Sequence, residues 1–341
     1  MPGIVLIQSV TDPVSHPHPP FSDSSSRSDI MTWEDLIYLT DLFLAGGERE
    51  ITLMGSDPLD HPHFMDMVAY LLERGCHVST LTSGMAGDEV IEDAGKIGSF
   101  LHKDYVNFFC DMTDLAHGRL GEPYRALFTQ FLGVLNNRTT PWITLEEPEF
   151  SLKQVVSLIN THNLRRVIRI SLGQPGESGG RPYLEPAQIE AAVSRLFSHT
   201  DLLDTFRVKL NFDCGFLPCC FSDKQLAYMV RSVPGFSISP CIPDVTVGPD
   251  MTMWSCRQLP GFSRRSILEF NSYQEIRQFY GEQHFAVRFE SSGAFVDCDT
   301  CMLREDILCS GGCLAPILPR FVGEHPYSVA KNPLRRKEVF E

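Results

Sequence analysis

The chain has 341 residues, 43% of them hydrophobic, which is enough for two domains or for one large α/β barrel with an appendage. Its formal net charge of −14 argues against a nucleic-acid backbone as the main partner. No stretch approaches the roughly 18 consecutive apolar residues of a membrane span. The opening Met1-Pro-Gly-Ile-Val-Leu-Ile-Gln8 is too short for a secretory core, so the expectation is a cytoplasmic protein with reduced thiols and no membrane partner.

Strand-like and helix-like stretches alternate through the first two thirds. Ile4–Gln8 reads as a strand, followed by a polar, Pro/Ser-rich segment over 11–30. Thr32-Trp-Glu-Asp35 reads as a capped helix start, with Leu36, Leu39, Leu42 and Phe43 on the apolar face and Gly46-Gly47 as the stop. Ile51–Met54 is the second strand and leads into Gly55-Ser56-Asp57-Pro58. The next helix buries Phe64, Met67, Val68, Leu71 and Leu72 and stops at Gly75. Val78–Leu81, Val106–Cys110, Ile143–Leu145, Val167–Ser171 and Phe206–Phe212 read as further strands. Helices fall around Tyr124–Leu135, Val155–Ile159 and Pro186–Phe197. This alternation predicts parallel βα units, as an open sheet or a partial barrel, with chemistry at the carboxyl ends of the strands. Beyond them, Ser222-Asp-Lys-Gln225 reads as a capping box, and Phe270, Tyr273, Ile276 and Phe279 mark another helix.

Nine of the eleven cysteines lie in the last third: Cys214, Cys219, Cys220, Cys241 and Cys256, then Cys298-Asp-Thr-Cys301 and Cys309-Ser-Gly-Gly-Cys313. Cysteines packed as small apolar groups have no reason to recur as C-x2-C and C-x3-C, whereas a metal does, because short loops wrap thiolates round one centre. Iron–sulfur clusters and a four-cysteine zinc site both suit such spacing. Cys76 and Cys110 fall in strand and helix-end contexts and read as core thiols.

These motifs resemble those of radical S-adenosylmethionine (SAM) proteins with a SPASM-type C-terminal extension, over nearly the whole chain. The strand ending in Gly55-Ser56-Asp57-Pro58, with His61-Pro62 after it, resembles the family's GGEP segment. Val78-Ser-Thr-Leu-Thr82-Ser83-Gly84 resembles its strand ending in Thr-Asn-Gly, and Cys241, Gly248, Cys256, Cys298-x2-Cys301 and Cys309-x3-Cys313 resemble the SPASM pattern. The resemblance implies a partial (β/α)6 TIM-like barrel over 1–212, a small iron–sulfur domain over 213–322 and a tail over 323–341. It also implies two [4Fe–4S] clusters. Cys241, Cys256 and Cys313, with Cys214 or Cys219, would hold one. Cys298, Cys301 and Cys309, with a remaining upstream cysteine, would hold the other, and Cys220 is spare.

The departure lies at the front. The family carries C-x3-C-x2-C after its first strand, and those thiolates hold the cluster that binds SAM. Here Val14, His18 and Phe21, or in the neighbouring register Ser15, Pro19 and Ser22, occupy those positions, and the first cysteine is Cys76. Valine and phenylalanine offer no donor atom, so reductive SAM cleavage loses its cofactor. In the family the GGEP acid contacts the SAM amine; Asp57, one carbon shorter, would fall roughly 1.5 Å short. The resemblance therefore predicts a degenerate relative that binds a peptide or protein, including an active radical SAM enzyme as partner, with its clusters structural or electron-transferring. Two alternatives stand beside it. One is an enzyme with different chemistry at the barrel mouth, using Asp57, His61, His63, Asp111 and His117. The other is a zinc-stabilised interaction protein.

Overall fold

The computed structural model describes residues 3–6, 30–55, 57–85, 87–97, 103–173, 184, 186–213, 215–232, 244–256, 259, 262–290, 293, 296–306 and 309–315. The expectations for Val14, His18, Phe21, Cys214, Cys241, the loop after Gly173 and the C-terminal tail lie outside these residues.

The described strands form one sheet. In chain order they are β1 (Gly3–Leu6), β2 (Glu50–Met54), β3 (His77–Thr82), β4 (Val106–Asp111), β5 (Thr139–Leu145), β6 (Val167–Leu172), β7 (Lys209–Phe212), β8 (Val245–Val247), β9 (Thr252–Ser255) and β10 (Arg265–Ser266). Their spatial order is β10-β9-β8-β1-β2-β3-β4-β5-β6-β7. From β8 through β7 every neighbouring pair is parallel, while β9 and β10 return antiparallel. The arrangement is consistent with a partial TIM-like fold.

Helices α1 (Trp33–Ala45), α2 (Phe64–Glu73), α3 (Asp88–Lys96), α4 (Thr113–Ala116), α5 (Glu122–Leu135), α6 (Lys153–Thr161), α7 (Pro186–Phe197) and α8 (Thr200–Phe206) connect β1 through β7. Further on come α9 (Asp223–Ser232), α10 (Tyr273–Glu290) and α11 (Met302–Glu305). The capping signals hold. Thr32 Oγ1 accepts from the Asp35 amide at 3.1 Å, and Ser222 and Gln225 exchange the two bonds of a capping box.

The sheet has two unlike faces because strand side chains alternate. Ile51, Leu53, Val78, Phe108, Cys110, Ile143, Ile168 and Ile170 enter one large core with Leu36, Leu39 and Phe43 of α1 and Met67, Val68 and Leu71 of α2. The opposite face gathers Met54, Leu81, Trp142 and Trp254 into a separate cluster, with Phe109 packed against it.

Three expectations shift at element ends. The strand expected from Phe206 begins at Lys209, because Phe206 ends α8. The strand expected from Ile143 begins at Thr139 and runs through Pro141, a residue whose missing N–H argues against a central strand. The helix expected from Phe270 begins at Tyr273.

Residues on both sides of position 213 share the sheet and the core. β8 pairs with β1 in register Gly3↔Val245 to Val5↔Val247, and Val245, Val247, Met253, Tyr273 and Ile276 lie in the same core as α1. Phe43 and Tyr273 stack edge-on at 5.0 Å. Gly46 makes this contact close: a Cβ there would lie 2.6 Å from Tyr273 Cδ1. Tyr273 is 1% exposed and has no room to withdraw. Gly46→Ala is therefore expected to destabilise the fold by about 1–3 kcal/mol through overpacking, read as a lower urea midpoint. Gly47, with nothing within 4 Å of an added Cβ, leaves more space.

Candidate functional site: strand ends and rear thiols

At the carboxyl ends of β2 and β3 the two motif turns are tied together by Asp57. Asp57 is 8% exposed, and its Oδ1 accepts from the Leu59 amide at 3.2 Å, capping the 3-10 turn Pro58–Asp60. Its Oδ2 accepts from Thr82 Oγ1 at 2.9 Å, the Ser83 amide at 3.0 Å and Ser83 Oγ at 2.7 Å. The short acid thus faces the neighbouring turn, with four donors on its two oxygens. Gly84 closes that turn at φ +70°, where an added Cβ would meet Cys110 Sγ at 2.9 Å.

Of the other polar residues expected at the barrel mouth, His61, Asp111 and His117 are bonded to backbone, whereas His63 is exposed and lies 3.6 Å from Asp66. His61 is buried, its Nδ1 accepts from the His63 amide at 3.1 Å, and burial pulls its pKa below the usual histidine value against a hydrogen bond to the Met31 backbone. His117 sits between the Glu149 and Thr144 carbonyls, at 3.1 and 3.4 Å. Asp111 Oδ1 accepts from the Thr113 amide at 2.8 Å, where α4 begins. Arg119 forms ion pairs with Asp114, Glu147 and buried Glu146.

The face of the sheet away from the helices carries polar and aromatic groups that the sequence reading passed over. Arg169 pairs with Asp213 through Nε at 2.9 Å, and its guanidinium lies over the rings of Phe109 and Trp142, at 4.6 and 5.1 Å. Trp142 Nε1 donates to Ser171 Oγ at 2.6 Å, and Ser171 Oγ lies 3.0 Å from Thr144 Oγ1. The signal that points to them is alternation. β4 through β6 read as buried strands, yet every second residue (Asn107, Phe109, Asp111; Thr140, Trp142, Thr144; Arg169, Ser171) belongs to the second face.

The described cysteines of the last third lie in several segments around α9, α10 and α11. Cys219 and Cys220 lie in the 3-10 turn Pro218–Cys220, Cys301 caps α11, and Cys309 follows it. Burial pushes the Cys309 thiol up. The Cys219 thiol donates to Cys220, which raises Cys219 and lowers Cys220. Cys298 packs on Gly293, where an added Cβ would come within 2.4 Å of its Sγ. Cys256, at φ +73°, and Cys313 share a buried cluster with Leu259, Phe262, Val287, Leu314 and Ala315.

Cys219 and Cys220, the second of them expected to be spare, are neighbours joined by a thiol hydrogen bond. Among the described residues no three His, Cys, Asp or Glu donors are drawn together closely enough to hold a metal ion. The donor chemistry suits one all the same, since Cys219, Cys220, Cys301 and Cys309 are thiols outside the main core's packing pair Cys76 and Cys110. Cys76 and Cys110 are fully buried in the main core, as expected of packing thiols.

The Asp57 lock predicts a structural role for that carboxylate. Asp57→Asn places an amide against three donors and is expected to lower stability by about 1–3 kcal/mol, with unchanged metal content after anaerobic purification. A chemical-denaturation curve matching the parent would contradict the lock.

No protein-family model matches the sequence, and no curated protein matches it. Solved structures do. The crystal structure of Streptococcus suis SuiB bound to S-adenosylmethionine superposes with a TM-score of 0.64 at 11% identity, covering 97% of this chain and 78% of that one. Another crystal structure of Streptococcus suis SuiB gives 0.60 at 14% identity over the same shares. SuiB bound to the precursor peptide SuiA gives 0.62 at 12% identity, over 97% and 76%. At such identities the likeness shows that the chain shares the SuiB fold over nearly its whole length.

Proposed function

We propose that this chain is a peptide- or protein-binding relative of the radical SAM/SPASM proteins that has lost reductive SAM cleavage and keeps a thiolate-bound metal centre in residues 213–322. The feature that carries the reading is the recurrence of Cys219, Cys298-x2-Cys301 and Cys309-x3-Cys313 in segments some eighty positions apart in the sequence. Thiols recruited from such separate segments gain little from packing alone, whereas a metal rewards convergence with folding free energy. In this reading Cys219, Cys298, Cys301 and Cys309 form one set, and Cys214, Cys241, Cys256 and Cys313 the other. When bound, the clusters staple the segment and pass electrons; zinc is the alternative occupant, with a structural role only.

Two observations support loss of the SAM chemistry, and a third bears on the rival enzyme reading. No cysteine precedes Cys76. Asp57 has both carboxylate oxygens engaged by protein donors. His61, Asp111 and His117 are likewise occupied by the backbone around them, which speaks against an alternative catalytic set at the strand ends. A peptide partner is favoured by the SuiB fold, since SuiB binds both SAM and the peptide SuiA, and by the aromatic and polar face around Phe109, Trp142 and Arg169. That partner, or an active radical SAM enzyme carrying it, would meet stacking rings and a fixed guanidinium there.

Anaerobically purified protein is expected to contain iron and acid-labile sulfide in similar amounts, approaching eight of each per chain for two [4Fe–4S] clusters. Incubated with SAM and dithionite, it is expected to release no 5′-deoxyadenosine above background. Accumulation of 5′-deoxyadenosine overturns the reading, and stoichiometric zinc without sulfide replaces the clusters by the zinc site.

A further inference from the structure

α3 packs against α5 and the Pro58–Asp60 turn, and a cleft of about 550 Å³ remains between α2 and α3. Ligand clefts run from about 300 to 1,000 Å³. One end of this cleft is the turn that Asp57 caps, so it begins beside the carboxyl ends of β2 and β3. Its floor is apolar. Leu59 and Phe64 are buried there, and Met65, Ala69 and Val90 are half-buried along the two helices. Its rim is acidic. Asp66 borders it from α2, Glu89 and Asp93 from α3, and Asp60 from the turn, and all four are exposed. Lys96 is the one lysine or arginine among the described lining residues, and Asp93 holds it in an ion pair. His63, next to the cleft, lies 3.6 Å from Asp66, and burial draws His61 toward its neutral form.

The charge on this rim works against the helix that carries most of it. α3 has Asp88, Glu89, Glu92 and Asp93 within six positions. Asp88 and Glu92, like Glu89 and Asp93, stand one turn apart, where like charges repel. The helix dipole favours Asp88 and Glu89 in the first turn, but Glu92 and Asp93 lie beyond it. A cation seated in the cleft relieves that repulsion. A bare ion gains nothing from Leu59 and Phe64, whereas a chain that carries apolar and cationic side chains together uses floor and rim at once. We propose that the α2–α3 cleft is a docking site for a basic, amphipathic stretch of the peptide partner. Its lysine or arginine side chains meet Asp60, Asp66, Glu89 and Asp93, and an apolar side chain enters between them. This rests on the reading of a peptide partner and gives that partner its charge. The net charge of −14 favours the same partner, because it speeds the approach of a basic peptide and repels an acidic one.

The test measures, by fluorescence anisotropy, binding of the full chain to labelled amphipathic peptides of leucine and lysine or of leucine and glutamate. The parent is expected to bind the lysine peptide, more weakly as salt rises, and to ignore the glutamate peptide. Asp66→Lys with Glu89→Lys is expected to bind the lysine peptide about 10-fold less tightly. Ala69→Phe, which fills part of the floor at unchanged charge, is expected to weaken it too. Glu282→Lys with Glu305→Lys makes the same change in net charge on exposed positions of α10 and α11 and is expected to match the parent. Circular dichroism checks each fold, and if the lysine reversal does not fold, Asp66→Asn with Glu89→Gln takes its place. Equal loss in the cleft and control variants means general attraction to an acidic chain; it overturns the cleft and leaves the peptide reading intact. No binding by the parent overturns the cleft, while iron content and 5′-deoxyadenosine judge the rest of the reading separately. Spermidine bound as tightly as the lysine peptide assigns the cleft to a small polyamine and overturns the peptide as its occupant.

Discussion

The pairing of β8 with β1 is the constraint on which the rest of the structure depends. β1 has four residues, and it carries ladders on both sides, to β2 and to β8. Because β8 occupies that edge, the chain after β7 returns to the start of the sheet and continues it antiparallel through β9 and β10. That return sets Cys256 directly after β9 and lays α10 against α1, with Tyr273 on Phe43. α10 in turn presents His284 and Arg288 to the loops that bear Cys256, Cys309 and Cys313. The placement of these cysteines thus follows from how the sheet is extended, and residues on both sides of position 213 share one hydrophobic core.

The two ends of the site follow opposite logic. At the front, polar groups are consumed by structure: Asp57 bonds the β3 turn, His117 bridges carbonyls and Arg119 is ringed by acids. At the rear, polar groups are left unsatisfied in a buried place, as with Arg288 Nε and Nη2 and His284 Nδ1. Buried polar atoms without partners are rare and mark either strain or an absent ligand.

Much of the architecture was legible in the residues. The period-two and helical patterns located β1 through β7, and both capping motifs held, because each is a local signal that tertiary packing did not override. β8, β9 and β10 were not legible: at two to four residues they show no periodicity, and their existence depends on β1 offering an edge far away in sequence. Cysteine spacing singled out the rear thiols, but that Cys256 and Cys313 share one buried cluster required the fold. Arg288 was invisible for a similar reason. Nothing in its helix separates it from a surface arginine until Ser310 and Gly312 are seen to wrap it. Arg169, likewise, reads as an ordinary strand charge until Phe109 and Trp142 lie beneath it.

The central claim is that metal is held by cysteine sulfur at the back of this fold and by nothing at its front. X-ray absorption fine structure at the edge of the bound metal in anaerobically prepared protein tests it most directly. The account predicts a first shell of sulfur alone, at about 2.3 Å. A shell dominated by nitrogen or oxygen, or protein that carries no metal, would contradict it.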